Sequence, residues 1–300
     1  MNLTYHNPVL LQPSIEGLNI NAQGIYVDVT FGGGGHSREI IKHLSSGKLF
    51  GFDQDSDAQQ NALQDDRFTL IPHNFKFLSN FLNFNNIQEV DGILADLGVS
   101  SHQFDVPERG FSIRFNGPLD LRMDTRKSKT AADIINTYEE EELANILYYY
   151  GELKESRKIA KTICTYRSTK NIETIEELLN LMSKFAPRGK ENSYYARIFQ
   201  ALRIEVNEEI DVLKSMLQQA EKLLKPGGRL VVISYHSIED RLVKNFFKTG
   251  NFEGILNKDM YGNQLTPFKN ITRKPIIPED EEIKLNNRAR SAKLRIAEKK

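Results

Sequence analysis

Three acids, a run of four glycines and a Tyr-His-Ser triplet are the groups in this 300-residue chain whose types and spacing could do chemistry. Asp28 lies within a short apolar run and is followed by Gly32–Gly35 and His36. Asp53 comes about 20 residues after the glycines, where a carboxylate can accept hydrogen bonds from both ribose hydroxyls of an adenosine. Asp96 closes a second apolar run, and Tyr235-His236-Ser237 closes a third. Glycines let backbone approach a ligand closely and adopt φ values that other residues avoid. The dinucleotide fingerprint G-x-G-x-x-G does not fit, because Ser37 and Arg38 stand where its last glycine would fall. An acid at position 28 suits a ligand with a cationic amino group better than a pyrophosphate. That points to S-adenosylmethionine. Taken singly, the glycines read equally as a flexible turn and Asp53 as a helix cap; the spacing of the whole favours a cofactor site.

These groups need a scaffold that gathers them. Ile25–Val29, Lys48–Phe52, Phe68–Ile71, Val90–Leu97 and Arg229–Ser234 are short β-branched or aromatic runs of the kind buried parallel strands show. Helical patterns separate them, beginning with Ile40, Ile41 and Leu44 on one face after Ser37. The alternation predicts a doubly wound α/β sheet, with ligands bound at the C-terminal edge of its strands. Asp57 is expected to cap a short helix running to Leu63, and Phe75, just past the third strand, is placed to contact an adenine. Lys225-Pro226-Gly227-Gly228 reads as a sharp stop between a helix over 208–224 and the fifth strand. Ser291–Ala297 reads as a final edge strand. Near the start, Pro8–Leu11 should pack on the sheet, and Tyr5, His6 and Asn7 could sit near a ligand.

The α/β rhythm stops after Ser101. Val106–Met123 is rich in Gly, Pro and Arg, and from Thr130 to about Arg203 the pattern is helical. The expected organisation is a discontinuous sheet domain, 1–105 with 204–300, carrying an inserted helical domain over 106–203 that covers the mouth of the crevice. Arg109, Arg114 and Arg122 could contact phosphates or could pair with Glu108, Asp120 and Asp124. His102 and Gln103 could reach cofactor or substrate.

Hydrophobic residues are 39% and charged ones 27%, the balance of a soluble globular protein. No apolar run is long enough to span a bilayer, and the opening MNLTYHNPVLL lacks the features of a signal peptide. With Cys164 the single cysteine, a reducing cytoplasm is the expected setting. Lysine plus arginine and aspartate plus glutamate are 40 each, so net charge is zero and bulk charge announces no nucleic acid. A basic surface for RNA would be local: Arg157, Lys158, Lys161, Arg167, Lys170, Lys184, Arg188, Lys190 and Arg197 in the insertion, or the basic residues from Arg288 to Lys300. The six histidines show no zinc spacing, and no metal is assigned.

Methyl transfer asks little acid–base chemistry of a protein, because a sulfonium already carries a good leaving group. An exocyclic amine needs more, since its lone pair is delocalised; an acceptor such as Asp96 at its N–H would localise that pair. Asp96 divides evenly between holding cofactor and touching substrate, while His36 and His236 suit orienting neighbours. The segments TFGGGGHS, DGILADLGVSS, ERGFS, GPLDLRMD, FQALRIEVNEE, SYHSIEDRLVK and NRARSAKLR, in this order, resemble those of the bacterial 16S rRNA (cytosine-N4)-methyltransferase family, RsmH or MraW. The likeness runs from about Tyr5 to Ala297. It implies a class I methyltransferase that uses S-adenosylmethionine on the amino nitrogen of a decoding-centre cytidine in 16S rRNA. It carries cofactor positions onto Gly34, Gly35, His36, Asp53, Phe75, Asp96 and Gln103; Gln103 rests mainly on the likeness. Two departures are Gly33, where relatives often have a larger residue, and Tyr235, where phenylalanine is usual. Rival readings are a methyltransferase acting on another nucleic acid or a small molecule, and an RNA-binding or assembly factor that keeps the fold without the activity.

Overall fold

The computed structural model describes residues 8–300, so Tyr5, His6 and Asn7 lie outside the described residues. The chain divides into two compact units, 1–98 with 211–300, and 99–210.

The first unit is built on a seven-stranded sheet. Its strands are β1 (Ile25–Asp28), β2 (Lys48–Phe52), β3 (Phe68–Ile71), β4 (Val90–Asp96), β5 (Leu224–Ser234), β6 (Phe268–Asn270) and β7 (Lys293–Lys299). They lie in the order β3-β2-β1-β4-β5-β7-β6. The pairs among β3, β2, β1, β4 and β5 are parallel, and β7 runs antiparallel to both its neighbours. This is a doubly wound α/β sheet of the Rossmann-like kind. Side chains alternate between its two faces, as the two-residue period of a strand requires. Tyr26, Leu49, Leu94, Val231 and Ile233 enter one core, and Val27, Phe50, Ile93, Leu230 and Val232 enter the other. The first face is covered by α1 (Leu11–Leu18) and α2 (Gly35–His43), the second by α3 (Leu78–Phe84), α10 (Glu209–Leu223) and α11 (Ser237–Thr249). Val9 and Leu10 are buried in the first core, so this part of the N-terminal segment packs as expected.

Three local expectations need correcting. α10 does stop, at Leu223, but β5 begins at once with Leu224 rather than at Arg229: Val90 pairs with Leu224 and Gly92 with Arg229, and the four residues between loop out as a bulge within the strand. The last strand is not an edge. β7 pairs on both sides, with β5 and β6, and β6 forms the rim. The turn after β2 is a 3-10 helix over Ser56–Asn61, capped by Asp55 rather than Asp57, since the Asp55 side chain accepts the Asp57 N–H.

The second unit is helical, with α4 (Ser101–Asp105), α5 (Ala131–Thr137), α6 (Glu140–Tyr149), α7 (Ser156–Arg167), α8 (Ile175–Met182) and α9 (Glu191–Asn207) around its own core. Capping boxes at Thr130/Asp133, Glu139/Glu142 and Thr174/Glu177 fix three of the helix starts. The unit is longer at both ends than the 106–203 expected. Val99 and Phe104 pack against its core. At the other end Asn207 accepts the Met123 N–H at 2.7 Å and donates to the Leu121 carbonyl at 2.8 Å, tying the end of α9 to the glycine- and arginine-rich stretch.

Candidate active site

Within the sheet unit, Asp28, Asp53 and Asp96 stand at the C-terminal ends of β1, β2 and β4. Each is fixed by a different part of the loops. Asp28 is almost wholly buried; its Oδ1 accepts the Thr30 N–H at 3.1 Å and its Oδ2 accepts the Ser37 hydroxyl at 2.7 Å. It therefore braces both ends of the glycine loop. The Thr30 hydroxyl accepts the Asp96 N–H at 2.7 Å, linking this loop to the end of β4.

Gly34 has φ +74, a value that strains any other residue, and accepts the Arg38 N–H as α2 begins. A side chain on Gly35 would lie 2.2 Å from the Pro8 ring, so only glycine lets the N-terminal segment close against the loop. His36 is buried beneath it, with Nε2 3.1 Å from the Val9 carbonyl. Asp53 accepts the Gly32 N–H on Oδ2 at 2.7 Å and the Asp55 N–H on Oδ1 at 2.8 Å. Each oxygen keeps a lone pair for a further donor. Phe75 opens a 3-10 turn capped by Asn74, whose amide donates to Gln54 at 2.7 Å, beside Asp53.

The electrostatics of these acids are uniform. Burial pushes Asp28 and Asp53 up to about 6 and Asp96 up to about 7. For Asp53, two backbone N–H groups oppose that rise, while the charges of Asp55 and Asp28 add to it. For Asp96, the Tyr235 hydroxyl opposes it and Asp28, Glu239 and Glu282 add to it. Burial also takes His36 down to about 4. Buried carboxylates that repel one another are relieved by a cation. A glycine cradle, a carboxylate with spare lone pairs and this negative field fit a sulfonium-bearing amino acid nucleoside.

The expected residues do not all belong to one unit. Gly34, Gly35, His36, Asp53, Phe75 and Asp96 belong to the sheet unit, but Gln103 belongs to the helical one, buried in the capping box of α4 with Ser100. In the loop over 106–123 the salt-bridged alternative holds for Arg122, which pairs bidentately with Asp120 at 2.8 and 2.6 Å. Arg109 is buried and donates to the carbonyls of Arg122 and Met123, and Arg114 is exposed. His236 caps α11, accepting the Glu239 N–H. Two supporting groups escaped sequence reasoning. Glu239 accepts the Tyr235 N–H at 2.9 Å, and Glu282, from α12 (Asp280–Leu285), accepts the Leu10 N–H at 2.7 Å. Glu239 carried a signal, lying three residues past the cap; Glu282 carried none, being 272 positions from its partner.

The family described as the MraW methylase family matches residues 3–300. The chain belongs to the MraW methylase family. Relatives of this methylase named "Ribosomal RNA small subunit methyltransferase H" include one from Cytophaga hutchinsonii, 59% identical over 98% of this chain and 99% of its own length. Others with that name come from Bacteroides thetaiotaomicron and Flavobacterium johnsoniae, each 58% identical over 99% of this chain and 98% of their own. The loop, Asp53 and Asp96 thus lie in a chain of a methylase family.

Proposed function

We propose that this methylase transfers a methyl group from S-adenosylmethionine to the N4 amine of a decoding-centre cytidine in 16S rRNA. Its setting is the cytoplasm, on RNA within the small ribosomal subunit; among the described residues no helix is long and apolar enough to cross a membrane. The observation that carries the reading is Asp96, an acceptor at the end of a central strand beside the glycine cradle, in a chain of this family. Gly34, Gly35 and His36 would line the donor's amino-acid end, Asp53 its ribose and Phe75 its adenine. The donor supplies an electrophilic methyl whose bonding pair leaves with a neutral sulfur.

The protein's own part is to position and to exclude water, with the amine held in line about 3 Å from the methyl carbon. Asp96 accepts one amine N–H, which localises the nitrogen lone pair, and then takes the proton that the nitrogen sheds. The helical unit is the substrate-recognition domain. Several of its basic groups are engaged internally: Arg167 donates to the Ile135 carbonyl, Lys170 pairs with Glu177, and Arg197 donates to Gly151. Arg157, Lys158, Lys161, Lys184, Arg188 and Lys190 are exposed, and we assign phosphate contacts to them. Such contacts on both sides of the cytidine would hold it in register once it has left its stack.

The test is transfer of labelled methyl to 16S rRNA or small subunits from cells lacking the gene. Label in N4-methylcytidine supports the proposal. Tight cofactor binding without transfer would favour the assembly-factor reading instead.

A further inference from the structure

Tyr235 follows β5 and reaches over the end of β4, where its hydroxyl donates to Asp96 Oδ1 at 2.8 Å. Its own N–H is held by Glu239, so backbone and hydroxyl are both fixed. The other oxygen of Asp96, Oδ2, faces His36 Nδ1 at 3.9 Å, too far for a direct hydrogen bond. The tautomer of His36 follows from its second contact. Nε2 lies 3.1 Å from the Val9 carbonyl, which can only accept, so Nε2 carries the proton and Nδ1 presents a lone pair. Two acceptors, one carboxylate oxygen and one imidazole nitrogen, therefore face each other with no hydrogen between them. The phenol has tied the remaining oxygen back out of the way. Packing alone does not call for this hydroxyl, since a phenylalanine ring would occupy nearly the same volume.

We propose that Tyr235 is a positioning residue for methyl transfer: its hydroxyl fixes the Asp96 carboxylate so that Oδ2, with His36 Nδ1, receives the N–H of an exocyclic amine. This rests on the methyl-transfer reading above and adds a residue to it. The ionisable groups acting on Asp96 come from several elements: Asp28 from β1, His36 from α2, Glu239 from α11 and Glu282 from α12, besides Tyr235. The three acids disfavour the charged carboxylate. Tyr235 is a neutral donor that favours it, and so keeps Asp96 able to accept a proton at neutral pH.

The test removes the hydroxyl and keeps the ring. In protein labelled with 13C at aspartate carboxyls, the signal absent from Asp96→Asn reports Asp96. In Tyr235→Phe its titration midpoint should rise by about one unit, as expected for losing one hydrogen bond to a charged group. Incorporation of 3-fluorotyrosine at position 235, a more acidic phenol and stronger donor, should move the midpoint down. Methyl transfer by Tyr235→Phe should fall about tenfold further at pH 6 than at pH 9, where only the loss from the freed carboxylate remains. A midpoint unmoved by either change, or a rate deficit equal at both pH values, overturns the inference. The carboxyl titration needs neither cofactor nor RNA. Native protein that transfers no methyl to rRNA while the titration behaves as described would count against the reaction and leave the hydrogen bond standing.

Discussion

Lowering the pH from 8 to 6 should weaken binding of S-adenosylmethionine about 20-fold and make binding release protons. The acids at the strand ends are pushed up by burial, Asp53 to about 6 and Asp96 to about 7. At pH 6 Asp96 is mostly protonated and Asp53 about half so, and a bound cation requires both to be charged. A group with midpoint 7 costs about tenfold in affinity between pH 8 and pH 6, and one with midpoint 6 about twofold. Together these amount to about 1.8 kcal/mol, with about 1.4 protons released per ligand at pH 6 and about 0.1 at pH 8. Asp28 is left out because both its oxygens stay engaged by Thr30 and Ser37. The direction follows from the raised midpoints: protons compete with the cation, so affinity falls as pH falls. Titration calorimetry in two buffers of different ionisation enthalpy reads affinity and proton release together. S-adenosylhomocysteine, which lacks the sulfonium charge, should show a smaller dependence, and Asp96→Asn should keep only the twofold part. Affinity that changes less than threefold, with no proton release, would refute the reading that these acids are charged when the cation binds.

Three further outcomes are expected. Asp53→Ala should cost about 1.5–3 kcal/mol of cofactor affinity, as for hydrogen bonds to a charged group, and calorimetry on the folded variant checks it. Asp96→Asn should abolish transfer yet raise the melting temperature of the free protein by several degrees at pH 8 but not at pH 4. The reason is that the cost of the buried charge sets in as pH rises from 3.8 through about 7; equal melting shifts at both pH values would contradict it. Neutralising Arg157, Lys158 or Lys161 should weaken rRNA binding and make its salt dependence shallower by about one unit of slope per contact, leaving cofactor affinity unchanged. Variants that bind rRNA with native salt dependence would place recognition elsewhere.

Much of this molecule was legible because its signals are local. The runs IYVD, FTLI and VDGILAD are strands at or within a residue of where their composition puts them. Helices α5, α6 and α8 begin where capping residues precede apolar periodicity. What was not legible depends on partners far away in the chain. Nothing in SAKLRIA says that β7 lies between β5 and β6, since a strand's neighbours are chosen by the whole sheet. The Lys-Pro-Gly-Gly segment carries every local mark of a helix stop, and α10 ends just before it; that it is also a bulge shows only in the pairing of Val90 with Leu224 and Gly92 with Arg229. Asp55 and Asp57 are equally good caps by composition, and backbone geometry decides between them. In the site, the glycines and Asp53 announce themselves by spacing. The role of Asp28 as a brace and the bond from Tyr235 to Asp96, 139 positions apart, do not.

The proposed reaction is methylation of the amine of one cytidine, with Asp96 as the acceptor that readies it. The direct measurement is mass spectrometry of 16S rRNA fragments after incubating small subunits from cells lacking the gene with the native protein and S-adenosylmethionine. The expected result is a single methyl on N4 of one decoding-centre cytidine, absent with Asp96→Asn although that variant stays folded and retains rRNA binding. A methyl on another atom or another RNA region, or an undiminished signal with Asp96→Asn, would contradict it.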